Sequence, residues 1–333
     1  MLEIIPHRNF LAAQARLRRA LTDHRPGRLI VVIGVGGVGK TTLRWSVLRE
    51  LYGNPRHWGI GKIPVIEVMA ILGAKAYFNS KALAEESLDQ LHMPDLSWLT
   101  RGAKTTPEIE MIEEALAASR EFWKGASRNL TEAGSWNAFK KNARERDMKI
   151  FSLEHASALC INHKDTRPAQ HIINLMSIME ATGAMGVLTT IQDGAALWKG
   201  RSEVRRRMDV IWMAPYDVSK PEDLKCYLGL LKRIAAPYSF NPQNLLERLA
   251  PEIAAATAAV YAEMVNLFQR AEESAHDAGR TELIEADFHE AYYSADDLET
   301  LWSDVARFWE VKRSDKASAV TERADKLWPT EDE

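Results

Sequence analysis

The sequence predicts an α/β fold: a parallel sheet flanked by helices, followed by a small all-helical subdomain. Short β-branched runs alternate with stretches of helical period over residues 1–216, a glycine-rich loop follows the first run, and beyond Pro215 only helical periodicity remains. The 333 residues suffice for about two domains of ordinary size. The 43 basic and 46 acidic side chains leave a formal charge of −3, so bulk charge attracts no polyanion and any nucleic-acid contact must be local. No apolar run reaches the roughly 18 residues of a membrane span, and the first ten residues lack the pattern of a secretion signal; a cytoplasmic protein with no membrane partner is expected. Cys160 and Cys226 are too few for a disulfide framework.

Residues 9–22 set Leu11, Ala15, Leu17 and Leu21 among arginines and predict an amphipathic helix that Arg25-Pro26-Gly27 breaks. Leu29–Ile33 is a continuous β-branched run, the mark of a central parallel strand. A helix from Thr41 to Tyr52 aligns Leu43, Val47, Leu48 and Leu51 before Gly53-Asn54-Pro55 ends it. Ile63–Met69 reads as strand, Lys81–Leu91 as helix, 94–135 as a helix-leaning insertion, Trp136–Arg146 as helix and Met148–Leu153 as strand. Ile172, Leu175, Met176 and Met179 form a helical stripe, and Gly186–Thr190 and Val210–Met213 return to strand. Helices at Leu224–Ile234, Gln243–Leu249 and around Val260–Ala271 follow, and Leu298–Trp309 continues the spacing as a packing stripe. The expected organisation is a nucleotide-binding core at 1–216, a helical subdomain at 217–311 and a flexible tail at 312–333 that holds Trp328.

One motif carries chemistry. Gly34-Val35-Gly36-Gly37-Val38-Gly39-Lys40-Thr41-Thr42 fits G-x-x-x-x-G-K-[ST] between a predicted strand and a predicted helix. The glycines Gly34, Gly36, Gly37 and Gly39, with Val38, let the backbone curl so that its N–H groups, with those opening the helix at Thr41 and Thr42, point at phosphate oxygens. Lys40 is placed to reach the β- and γ-phosphates of ATP, and the Thr41 hydroxyl to ligate Mg²⁺.

Such a loop needs an acid at the end of another strand. In ATPases of the AAA+ kind this is an aspartate followed by a catalytic glutamate. After Met148–Leu153 comes Glu154-His155-Ala156-Ser157-Ala158-Leu159, which on an Asp-Glu-Ala-x-x-Leu pattern places Glu154 at the metal and His155 at the base. An imidazole is a poorer base for water held against a polyanion, so hydrolysis is expected to be slow or conditional. The competing register puts Leu153 at the metal and Glu154 at the base. Thr189 and Thr190 end the next strand, where either hydroxyl could sense the γ-phosphate, Thr190 being the assigned one; an ordinary strand end is the alternative. Arg205-Arg206-Arg207 precedes the last strand; Arg206 and Arg207 are candidates for an arginine offered to a neighbouring subunit, and a solvated basic turn is the alternative.

Over about residues 10–295 these features resemble the AAA+ regulators of DNA transposition of the TnsC and TniB type. The resemblance lies in Gly34–Thr42, Pro64–Met69 with Ala76–Lys81, Glu154–Leu159, Thr182–Thr190, Arg206-Arg207 with Pro215-Tyr216, and Ala271, Ala275, Gly279 and Ile284. The Glu154-His155 pair departs from the family pattern, and the helical subdomain has no Gly-x-Arg for a second arginine sensor. The resemblance implies a P-loop NTPase core with a helical lid at 217–311, using ATP and Mg²⁺. It implies self-assembly on duplex DNA without base preference, as a ring or helix of six or seven subunits per turn, with a transposase and a target-selection protein as partners. Lys75, Asn79, Ser80 and Lys81 are the expected DNA-facing residues, a capped solvated loop being the alternative. A signalling or defence NTPase acting through protein partners is the other functional class.

Overall fold

Five parallel strands and the helices between them make up the first two thirds of the chain. The computed structural model describes residues 5–70, 72, 77–100, 105–123, 130–161, 167–199 and 201–314. The chain runs α1 (Arg8–Thr22), β1 (Leu29–Ile33), α2 (Lys40–Tyr52), β2 (Val65–Met69), α3 (Ser80–His92), α4 (Ser97–Thr100), α5 (Pro107–Trp123), α6 (Glu132–Glu145) and β3 (Ile150–Glu154). It continues with α7 (Pro168–Thr182), β4 (Met185–Thr190), α8 (Ser202–Arg206), β5 (Met208–Trp212), α9 (Pro221–Ala235), β6 (Ser239–Phe240), α10 (Leu245–Thr257), α11 (Tyr261–Asp277), β7 (Glu282–Leu283), α12 (Glu285–Ala291) and α13 (Ala295–Ser314).

The main sheet has the order β2-β3-β4-β1-β5 with every pairing parallel. Its centre is apolar because each strand feeds two cores. In β1, Leu29, Val31 and Ile33 enter the core shared with α3, α6 and α7, while Ile30 and Val32 enter the one shared with α1 and α2. The second core also receives Phe10, Leu17 and Leu21, one face of α1. Because all strands run the same way, the loops after β1, β3 and β4 open at one edge of the sheet, where ligands of open α/β sheets bind. Residues 221–291 have their own core of Tyr227, Leu231, Ile253, Met264, Phe268 and Phe288.

Several boundaries differ from those expected, each for a local reason. α6 begins at Glu132 because Thr131 caps it, accepting from the Gly134 N–H at 3.1 Å. β3 begins at Ile150 rather than Met148, whose N–H is used to close the preceding helix on the Ala143 carbonyl. α10 continues through Pro251 to Thr257, since Ile253, Ala254 and Thr257 extend its buried stripe. α13 falls within the expected helical subdomain in sequence, yet its buried Val305 and Phe308 belong to the core around α1 and α2, with Phe308 edge-on to Trp212 at 5.8 Å.

Candidate functional site

The loop from β1 to α2 curls because two glycines take left-handed backbone angles, φ +75° at Gly37 and +91° at Gly39. Gly39 is the N-cap of α2, so the first N–H groups of that helix face the cavity without intrahelical partners. The Lys40 ammonium folds onto the carbonyls of Gly34 (2.9 Å) and Val35 (2.8 Å). Burial, against the weaker pull of Glu154, lowers its pKa from 10.5 to about 8. A desolvated cation beside unpaired amides is a donor set for a phosphate chain. The cavity it borders is about 400 Å³ and is lined by Thr41 and Thr42, by Glu154 and His155 at the end of β3, by Thr189 and Thr190 of β4, and by Tyr261 and Ala262 of α11.

Across from the loop stands an acidic wall. Glu154 is the last residue of β3, and its Oε1 accepts a hydrogen bond from the Thr41 hydroxyl. Burial opposes ionisation of Glu154, but Arg44, Thr41 and His155 outweigh it and hold the carboxyl below its ordinary range. Thr41 and Glu154 are therefore one hydroxyl and one ionised carboxylate facing each other at the cavity, a pair that suits Mg²⁺, which takes few protein ligands and keeps several waters. His155 follows in the left-handed region, φ 55° and ψ 39°, exposed at the cavity mouth. Among the described residues no group of three or more His, Cys, Asp or Glu side chains is placed to hold a metal.

Two residues of this wall were not singled out from the sequence. Arg44, one turn beyond Thr41 on α2, is 1% exposed; its Nη2 lies 3.1 Å from Glu67 Oε2 and 3.3 Å from Glu154 Oε2, and its Nη1 lies 3.5 Å from Thr189 Oγ1. Glu67, in the middle of β2, also accepts from Trp45 Nε1 (2.7 Å) and Ser152 Oγ (3.2 Å). Burial pushes its carboxyl up, with Arg44, Trp45 and Ser152 pulling the other way. The available signal was an acid inside the apolar run Ile63–Met69 and an arginine beside Leu43 on a core-facing helix.

The remaining candidates fall in three places. Thr190 is 2% exposed and its hydroxyl donates to its neighbour's carbonyl, Ile191, at 3.1 Å, while Thr189 meets Arg44. Arg205, Arg206 and Arg207 lie at the opposite edge of the sheet, where the Arg207 carbonyl accepts from the Leu29 N–H at the start of β1. They are therefore remote from the loop Gly34–Thr42 of the same chain. Arg207 pairs with Glu180 at 2.7 Å, and Arg206 is exposed. Asn79 caps α3, accepting from the N–H groups of Lys81 and Ala82, Ser80 begins that helix, and Lys81 pairs with Glu85 at 3.4 Å. These are the bonds of a capped loop, and Lys75 lies outside the described residues, as does Trp328.

Beside the phosphate cavity is an apolar pocket of about 190 Å³ between Phe10, Val38, Thr42, Tyr261 and Val265, with Ile5 and His7 at its edge. Burial, with Arg233 and Arg8, lowers the His7 pKa from 6.5 to about 4, so the ring is neutral; it stacks on Tyr261 at 5.9 Å and bonds the Tyr216 hydroxyl at 3.1 Å. An uncharged slot next to a phosphate cradle has the character of a base site. α11 joins this pocket to the loop directly: the Ala262 N–H donates to the Gly37 carbonyl at 3.0 Å. Its first turn offers Tyr261, Ala262 and Glu263 and no cation.

No family model matches the sequence, and no curated protein matches it. Solved structures do. The Aeropyrum pernix ORC2 protein, solved in ADPNP–ADP complexes, is similar at TM-score 0.53 and 14% identity, over 90% of this chain and 73% of that one. Cdc6p from Pyrobaculum aerophilum gives 0.55 and 18% over 87% and 67%, and the Walker-type ATPase PABY2304 of Pyrococcus abyssi 0.52 and 14% over 91% and 75%. At such identities the likeness shows the fold alone: a parallel five-stranded sheet flanked by helices, followed by a helical C-terminal region.

Proposed function

We propose that this chain is an ATP-dependent, DNA-binding AAA+ regulator that oligomerises on duplex DNA and links target selection to transposase recruitment, with weak or conditional ATP hydrolysis. The observation that carries the nucleotide part is the juxtaposition of Lys40, Thr41 and Glu154 around one cavity fed by the loop Gly34–Thr42. Support for the transposition part is the resemblance of the motifs to the TnsC and TniB type. In this reading residues 1–216, against which α13 packs, bind nucleotide and the helices from α9 to α12 form the lid. The protein is cytoplasmic, in keeping with the finding that no helix among the described residues is long and apolar enough to cross a membrane.

The chain's own groups then have distinct tasks. The glycine-loop amides and Lys40 hold the β- and γ-phosphates, the ammonium exchanging the Gly34 and Val35 carbonyls for the anion. Thr41 and Glu154 would hold Mg²⁺, which would supply positive charge against the phosphate chain. Thr190, buried at the end of β4, is the γ-side polar residue. His155 occupies the position from which water is oriented, and its imidazole makes turnover slow. Arg206 or Arg207 reaches the nucleotide of the next subunit, coupling nucleotide state to assembly. Lys75, Asn79, Ser80 and Lys81 are assigned to the DNA side.

Gel shift of duplex DNA with ATP, with ADP and with Lys40→Ala plus ATP tests the proposal: binding in the first case only, insensitive to sequence and weakened by salt, is expected. Equal binding in all three would transfer the protein to the signalling or defence class. His155→Glu is expected to raise ATP turnover by at least about tenfold. No increase in a folded variant that still binds ATP would overturn the assignment of that position.

A further inference from the structure

The acidic wall contains an arrangement that the nucleotide reading does not require. Arg44 is essentially sealed from solvent, and it touches both Glu67 and Glu154, which are 10% and 20% exposed. Buried ion pairs of this kind are seldom better for stability than apolar side chains of the same volume. Its neighbours on the same side of α2, Val47 and Leu48, are apolar and fully buried. The arginine is thus placed at one point only, against the carboxylate that faces Thr41. On its own it would be harmful there: one guanidinium on one carboxylate leaves no net charge to attract a divalent cation.

Glu67 changes that balance. Two carboxylates and one guanidinium leave one net negative charge, and the guanidinium is divided between them, at 3.1 Å from Glu67 and 3.3 Å from Glu154. Glu67 is itself fixed by Trp45 and Ser152, so it cannot follow Arg44 toward Glu154. Arg44 engages Oε2 of Glu154 while Thr41 engages Oε1, so the carboxylate is oriented from both ends. A cleft of about 490 Å³ bordered by Glu86 and Asp95 reaches Glu67 and Glu154 from the α3 side and adds further negative potential.

Resting on the nucleotide reading above, we propose that Glu67 is a positioning residue of the magnesium site: by holding Arg44 away from full pairing with Glu154, it leaves that carboxylate aimed at Thr41 and available to the cation. Partners behind a metal ligand commonly change metal affinity by about 10–100-fold when removed.

The test uses the full chain and a fluorescent ATP analogue, titrated with Mg²⁺ at fixed nucleotide and separately in EDTA, with melting curves alongside. Glu67→Gln keeps the shape and removes the charge; the Mg²⁺ concentration for half-maximal effect is expected to rise about tenfold, with affinity in EDTA and the melting temperature little changed. Glu67→Asp, which keeps the charge, is expected to stay within about threefold of the parent. In the double variant Glu67→Gln/Arg44→Met the cation that Glu67 restrained is gone, and the requirement is expected to return toward the parent value. An unchanged requirement in Glu67→Gln, or a folded double variant no better than the single one, would overturn the proposal; should the double variant fail to fold, Glu67→Asp behaving like Glu67→Gln would do so. If nucleotide binding by the parent protein has no dependence on Mg²⁺, the nucleotide reading itself fails.

Discussion

The two walls of the cavity beside Gly34–Thr42 are made from different materials. On one side Gly34–Thr42 brings main-chain amides and a single ammonium, all within nine consecutive residues. On the other, Glu154, Glu67, Ser152 and Thr189 come from three strands and are tied together by Arg44 of α2. The first wall depends on local backbone angles that glycine permits; the second depends on the register of β2, β3 and β4, which sets Glu67 opposite Ser152 and Met69 opposite Glu154. A ligand-binding wall built from backbone tolerates its surroundings, whereas one built from buried charge is part of the core and fails with it.

The largest expected effect separates the walls by stability. Arg44→Ala leaves Glu67 and Glu154 buried without their cation and is expected to destabilise the fold by about 3–5 kcal/mol, measured by urea unfolding. Lys40→Ala is expected to leave stability nearly unchanged and weaken ATP binding about 100-fold by calorimetry, the loss of charge-assisted hydrogen bonds to phosphate. If Lys40→Ala unfolds the protein or Arg44→Ala does not, the division between a ligand wall and a structural wall is wrong.

Proton linkage sharpens the same contrast. Burial lowers the Lys40 pKa from 10.5 to about 8, so between those values the unfolded chain binds more protons than the folded one. Nucleotide-free stability should therefore rise with pH across that window. ATP favours the charged ammonium, so its affinity should fall over the same range, by at most about tenfold per pH unit, with proton uptake on binding. Titrations at pH 7.5, 8.5 and 9.5 in two buffers of different ionisation enthalpy measure both; parallel rather than opposed trends would remove Lys40 from the phosphate site.

How much was legible follows from this contrast. The phosphate loop could be read directly, since its requirements, glycine at left-handed angles and a lysine at a helix start, are written in adjacent residues. The strands around it were found from β-branched runs, with ends misplaced by a few residues where a cap or turn carbonyl decided the matter, as at Thr131 and Met148. Arg44 and Glu67 were passed over because their partners lie 23 and 110 positions from Arg44, and one-dimensional periodicity marks them only as charges in the wrong place. The apolar pocket beside the loop was missed likewise: Phe10, Val38 and Tyr261 are brought together by tertiary folding alone. Packing also moved α13, whose stripe was recognised as apolar without indicating which core it would enter.

The smallest expected effect is at His155, where the walls meet the cavity mouth. Its backbone is left-handed, a conformation that costs an L-residue about 1–2 kcal/mol, and its exposed ring recovers little through packing. Glycine removes the strain and costs about 0.5–1 kcal/mol in unfolded-state entropy, so His155→Gly is expected to stabilise the fold by up to about 1 kcal/mol. Strain retained at such a position is consistent with selection for where the side chain points rather than for stability. The variant should accordingly gain stability and keep ATP affinity while losing whatever turnover the parent has, measured by urea unfolding, calorimetry and phosphate release. A loss of stability instead would mean that the imidazole is held by contacts that outweigh the strain, and that His155 belongs to the structural wall with Arg44.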